Sequence, residues 1–421
     1  MSGIHIHPHD ILDEGPEQIV KRIGVLRDVR HIFTAANMMF ERNPYPAGIL
    51  PHNPKRTFVQ STGTFHLAVD TASVYPDLYQ KVDETIRMGA DPLRDILERT
   101  RGTEYEIVPW LNVLNGYFTG AKLRNNRVID FRGNEVDHWL CPNGEDVLPM
   151  WSRLLAEVHR EYGCRTFMID RIRFPDWAGK RTNPGGLFSC FCERCRKGME
   201  AHGLDPRRMI AVMENVADLL ANKQFSQAQS VITESLLFRS WIRFRQNSVT
   251  AFVGGLIAET KKYADVSFWL DLWPPSYAWL LGQDYTELTK HCGVLKHFPY
   301  HKLGGGADVQ GLIEYFAADA AEREEAFGAF MRLFRFDYEL SYREFQQKGY
   351  PIRFIGEENG KVRALSAPGT QIYSGVQMWN LPAQELAEAI IAAKASDADD
   401  VIYYCYGWAE EELFATAANI M

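Results

Sequence analysis

Apolar residues recur along this chain in two alternating rhythms. Short runs dense in Val, Ile, Phe, Tyr and Trp predict strands: "GIHIHPHDI", "VRHIFTAANMMF", "EYEIVPWLNVL", "CRTFMIDRIRF", "DVSFWLDLW", "GVLKHFPYH", "YPIRFIGEE", "QIYSGVQMWN" and "DVIYYCYGW". Between them, "PEQIVKRIGVLRDV", "DPLRDILERTRG", "DVLPMWSRLLAEVHREYG" and "PAQELAEAIIAAKASD" place apolar residues three and four apart behind a cap or an early proline, the signature of amphipathic helices. Strand followed by helix, repeated, implies right-handed crossovers and a parallel sheet. About eight such units over 421 residues predict an α/β fold, a closed (β/α)8 TIM barrel with long βα loops. Nine strand candidates exceed a closed barrel by one, so either "YPIRFIGEE" or the first segment lies outside it. No composition break, linker or internal repeat divides the chain, and a single domain over 1–421 is expected.

The segments after strands two, three and four, at about 40–85, 114–145 and 174–190, are far longer than ordinary connections. Such loops build barrel active sites at the C-terminal strand ends, which makes the polar residues there informative. Asp170 ends "CRTFMID" between apolar residues and two arginines, Asp271 ends "FWLD", Glu357 and Glu358 end "IRFIGEE", and Tyr300 and His301 end "KHFPYH". Any one of these carboxylates could be a helix cap or an ion-pair partner. Their recurrence on three strands, with Trp110, Trp269, Trp273, Trp379 and Trp408 expected at the same end, points instead to a common cavity. Flat aromatic faces beside carboxylates suit sugar rings and acetal cleavage.

On this reading Asp170 is the nucleophile or oxocarbenium stabiliser, kept ionised by Arg171 or Arg173. The acid/base partner is Glu357, whose neighbouring glutamate would favour protonation, or Asp271, whose apolar neighbours would raise its pKa by desolvation. His7, His9, Asn37, Trp110, Asn112, Arg173, Trp269, Tyr300, His301, Glu358, Gln377 and Trp379 are the candidate substrate-binding residues. His5 is read as a core histidine on the alternate face of its strand.

Composition narrows the partners. A net charge of -8 without a basic block argues against nucleic acid and anionic membrane, and leaves a small carbohydrate as the expected partner, with a homo-oligomer left open. The chain opens on no basic-then-apolar leader and has no run of about 18 apolar residues, so a cytoplasmic protein is expected. Seven cysteines, three of them in "CFCERC", suit reduced thiols or a metal clip better than disulfides.

Two stretches carry a resemblance. "LCPNGEDVLPMWSRLLAEVHREYGCRTFMIDRIRFP" and the tail "GVQMWN…AEAIIAAKASDADDVIYYCYGW" resemble glycoside-hydrolase-like barrels whose fourth strand ends in D-x-I-R-F-P. That resemblance implies a glycosidase of barrel fold requiring no cofactor. "FSCFCERCRKGM" is similar to the cysteine cluster of family 42 β-galactosidases. It implies a structural zinc on Cys190, Cys192 and Cys195, completed by Cys141 or Cys164. A rival pattern is the H-x-H of His5 and His7, which resembles the first-strand ligands of amidohydrolase metal sites; the later histidines and the last-strand aspartate of that family are missing. A third reading is a barrel that binds sugar without catalysis.

Overall fold

The computed structural model describes residues 1–40, 49–59, 61–177, 184–304 and 309–420. Parts of the long loops expected after strands two and four lie outside the described residues. Eight parallel strands close a barrel in chain order: β1 (Ser2–Ile6), β2 (Val29–Ala35), β3 (Glu106–Asn112), β4 (Thr166–Asp170), β5 (Ser267–Leu272), β6 (Val294–His297), β7 (Gln371–Gln377) and β8 (Asp400–Tyr404). β1 pairs with both β2 and β8, which completes the ring. The α/β (β/α)8 architecture read from the sequence is therefore present.

The ninth candidate strand is not a strand. The first segment is β1, and "YPIRFIGEE" lies mostly within the helix Arg353–Leu365, because Phe354, Ile355, Glu358, Asn359 and Val362 recur at helical spacing and form its buried face. The four expected helices are found at Pro16–Ile23, Pro92–Arg99, Val147–Tyr162 and Ala383–Lys394. The third stops at Gly163, whose φ of 72° provides the left-handed residue that ends a helix cheaply. Between β4 and β5 the chain adds helices at Glu193–Ala201, Pro206–Ala221, Phe225–Glu234 and Leu236–Thr260, the last packed on Val147–Tyr162. No described helix is long and apolar enough to cross a membrane.

Inside the barrel, alternate residues of each strand face the axis. Close packing selects glycine at two of these positions. A Cβ on Gly3 would stand 2.6 Å from the Phe33 ring, and one on Gly375 would stand 2.8 Å from the His297 carbonyl and 3.1 Å from Lys296 Cε. Gly375 thus makes room for a lysine inside the barrel.

Candidate active site

Asp170 is the last residue of β4 and Asp271 the fifth of β5. The pairing Ile169↔Leu270 carries the two carboxylates alongside one another on neighbouring strands. Asp271 is in turn level with Lys296 of β6, and Lys296 Nζ donates to Asp271 Oδ2 at 3.0 Å with both side chains buried. His5 Nε2 approaches the same oxygen at 3.9 Å and Met168 Sδ at 3.4 Å.

The two carboxylates have opposite surroundings. Asp170 accepts from Trp110 Nε1 at 3.3 Å, from Arg173 Nη1 at 3.3 Å and from the backbone N–H of Arg171. Arg171 adopts a φ of 55°, a left-handed conformation costing a non-glycine residue about 1–2 kcal/mol, at the residue whose N–H meets the carboxylate. Arg173 also donates to Asp176 Oδ2 through Nε at 3.0 Å and Nη2 at 2.8 Å, so one fully buried guanidinium joins two carboxylates. Burial instead pushes the Asp271 carboxyl up to about 7; the charge of Asp170 adds to the rise and Lys296 opposes it.

An aromatic wall stands beside the pair. The Tyr404 ring packs on Trp110, Tyr300, Trp379 and Trp408 at centroid separations of 5.9, 5.7, 5.7 and 5.3 Å. The buried Tyr300 hydroxyl and Trp379 Nε1 have no hydrogen-bond partner among the described residues. His7 joins this wall, 5.8 Å from the Trp110 ring and 5.9 Å from Trp408. His301 is buried, and burial lowers its imidazole to about 4.

Several expected residues are placed elsewhere. Glu357 does not end a strand: it lies on the helix Arg353–Leu365, half-exposed, accepting from Tyr338 Oη at 2.6 Å. Glu358 is fully buried on the same helix, where it takes the Ser276 N–H at 3.0 Å, Ser276 Oγ at 2.6 Å and Lys361 Nζ at 2.7 Å. Both were misplaced because a short apolar run reads equally as strand or buried helix. Trp269 points into the barrel two residues below Asp271, against His31, Phe33 and Tyr373, and fills the interior rather than the mouth. Asn37 and Asn112 clasp each other's backbones across β2 and β3 at 2.7–3.0 Å. Gln377 holds Lys302 N–H and the Trp379 carbonyl at 2.9 and 3.1 Å. Asn112 nonetheless stands beside Asp170 in the strand register, its buried Oδ1 without a hydrogen-bond partner among the described residues.

His5 on β1 and His7 just after it both turn to the Trp110 ring, so His5 is not on the alternate face. Of the rival His5 and His7 pair, only His7 falls in a group of three or more metal-ligating side chains among the described residues, together with His9 and Asp10. Lys296, Asp176 and Tyr404 also belong to this site, and the pattern of polar strand ends does not single them out. A lysine inside the apolar run "GVLKHF" was the available signal for the first.

Behind β4, Cys141, Cys190, Cys192 and Cys195 bring four sulfurs within 4.8 Å of one another, with 3.4 Å from Cys141 to Cys195 and 3.8 Å from Cys141 to Cys192. A zinc tetrahedron with bonds of about 2.3 Å needs sulfurs roughly 3.8 Å apart. Amide N–H groups of Ile129, Cys192 and Asn143 point at these sulfurs from 3.3–3.4 Å. Burial pushes the Cys141 thiol well up, whereas the close contact with Cys141 lowers Cys192. The fully buried Arg245 lies nearby, stacked 4.5 Å from both Phe174 and Trp241 and donating to the Leu280 carbonyl. Burial pulls it down to about 9, and the charges of Cys190 and Cys195 oppose that. The donor set fits a closed thiolate zinc centre whose negative charge Arg245 offsets. Cys164 is not part of it; it is buried just before β4, with its thiol raised to about 12 by burial.

No protein-family model matches this sequence, and no curated protein does. Among solved structures, the chain is similar over its whole length to the catalytic domain of a β-amylase from Paenibacillus polymyxa. The match has 10% identity, a TM-score of 0.53 and 97% of that chain covered. It also matches a glycoside hydrolase family 18 N-acetylglucosaminidase from Paenibacillus barengoltzii over its whole length, at 7% identity, a TM-score of 0.46 and 99% of that chain. At such identity the first likeness establishes the barrel fold.

Proposed function

We propose that this protein is a glycoside hydrolase acting on a small glycoside, with Asp170 and Asp271 as its two carboxylates. The observation that carries the reading is their side-by-side position with opposed electrostatics. Asp170, facing three N–H donors, is suited to stabilise an oxocarbenium ion or attack it. Asp271, near 7 through burial, is suited to deliver a proton to the leaving oxygen. Adjacent strands run about 4.8 Å apart, which fits the roughly 5 Å carboxylate spacing of retaining enzymes better than the 6.5–9.5 Å of inverting ones. Trp379, Tyr404 and Trp408 supply stacking faces for the sugar. The solved barrels of similar fold include a β-amylase, which supports the same class.

Zinc on Cys141, Cys190, Cys192 and Cys195 is proposed as a structural element, taking no part in turnover. The described cysteines are all free and buried, which supports a reducing cellular compartment.

The test is Asp170→Asn and Asp271→Asn assayed on a panel of aryl glycosides alongside thermal unfolding. Both variants should stay folded and lose at least about 10³-fold in kcat, with Asp170→Asn retaining most ground-state affinity. A destabilised Asp170→Asn protein with normal specific activity in its folded fraction would refute the assignment.

A further inference from the structure

The two-carboxylate chemistry leaves one cluster at the barrel mouth unused. His7 follows β1 and serves as N-cap of the helix Pro8–Glu14; His9 and Asp10 lie in that helix's first turn. The three side chains are almost entirely buried, and one donor atom from each falls within 4.8 Å of the others. His9 Nε2 lies 3.4 Å from Asp10 Oδ1, and the His7 and His9 rings stack at 5.1 Å with planes 13° apart.

The hydrogen bonds around the cluster are incomplete in a consistent way. Asp10 Oδ2 accepts the His7 backbone N–H at 2.8 Å, which fixes the carboxylate, and His7 Nδ1 meets Cys405 Sγ at 3.2 Å. His7 Nε2, His9 Nε2 and Asp10 Oδ1 have no hydrogen-bond partner among the described residues. Buried polar atoms left unmatched are costly. His7 Nδ1 lies 4.0 Å from Asp10 Oδ2, and a cation held by one donor atom of each residue would satisfy the unmatched atoms that face it.

The geometry points to a second metal site, in which His7, His9 and Asp10 bind a divalent first-row transition ion such as zinc or cobalt. Two imidazoles with one carboxylate suit such an ion better than calcium or magnesium, which favour oxygen ligands. Three protein ligands leave coordination positions open. Because His7 also touches Trp110 and Trp408, the ion borders the aromatic wall and can take an oxygen of a bound molecule. The first-turn hydrogen bond from His7 N–H to Asp10 holds one ligand in place, the role that outer hydrogen bonds play at metal centres.

Cobalt(II) binding to untagged full-length protein tests this, since nitrogen and oxygen ligation lacks the sulfur-to-metal absorption that the thiolate centre would give. One cobalt per chain without that absorption is expected, with affinity reduced at least about tenfold in both His9→Gln and Asp10→Asn while thermal unfolding confirms their fold. Asp10→Asn retains an oxygen for the His7 N–H, so its loss of cobalt would report the ligand rather than the helix start. Absence of such a cobalt in the unaltered protein, or affinity in both variants undiminished from that of the unaltered protein, overturns the site. Because the readout is binding, either result is independent of whether Asp170 and Asp271 cleave glycosides.

Discussion

Lys296 Nζ and Asp271 Oδ2 form a 3.0 Å ion pair in the interior of the barrel, level across β5 and β6. Lys296 is the main group opposing the rise of Asp271, whose carboxyl burial carries to about 7. If protonated Asp271 is the acid, kcat/KM falls as pH rises through about 7. Lys296→Met removes the opposing charge and moves that limb to higher pH, and Asp271→Asn abolishes it. A pH–rate profile of the three proteins distinguishes these outcomes, and an unmoved limb in Lys296→Met would assign the ionisation elsewhere.

Glu357→Gln should leave turnover unchanged and stability within about 0.5 kcal/mol, as expected of a half-exposed helix residue. Glu358→Gln has a different expectation: it weakens a buried carboxylate's bonds to Ser276 and Lys361 and should lower the melting temperature. Parallel thermal melts and aryl-glycoside assays separate the adjacent glutamates.

Arg245→Met removes the buried cation beside the cysteine cluster. With zinc on the thiolates, the variant should lose about 3–5 kcal/mol, because the centre's charge is left uncompensated. Cys195→Ser should lose the zinc itself, measured by elemental analysis. An Arg245→Met protein as stable as the parent would mean that the four cysteines are neutral thiols.

His297 is buried on the outer face of β6 against Asn359 Oδ1 at 2.5 Å, and burial lowers its imidazole to about 3. A histidine depressed in the folded state is neutral there while the unfolded chain takes up a proton below about 6.5. Its contribution to stability is therefore present above about 6.5 and lost as pH falls toward 3. His297→Gln should flatten the dependence of unfolding free energy on pH across that window, read from denaturant melts; an unchanged slope would show that His297 is protonated in the fold.

Periodicity alone determined the barrel, since strand-then-helix repetition leaves few other ways to cover both faces of each strand. It also located Asp170 and Asp271, because a polar residue closing an apolar strand is visible in one dimension. The strand end expected at Glu357 is a helix, because periodicity is ambiguous there: nine residues of "YPIRFIGEE" fit either period until the packing of Phe354, Ile355 and Val362 chooses the helix. Asn37, Asn112 and Gln377 are polar residues near strand ends in the sequence, yet only the fold shows that each holds a backbone group of a neighbouring segment. The fourth cysteine is a similar case. Cys141 and Cys164 were equivalent in the sequence, and the hairpin Arg127–Ile129 with Glu135–Leu140 carries the first of them to the cluster. Partners distant along the chain, Lys296 to Asp271 or Cys405 to His7, follow from strand register and barrel closure. Those are set by the summed packing of the whole chain, so no local stretch of sequence encodes them.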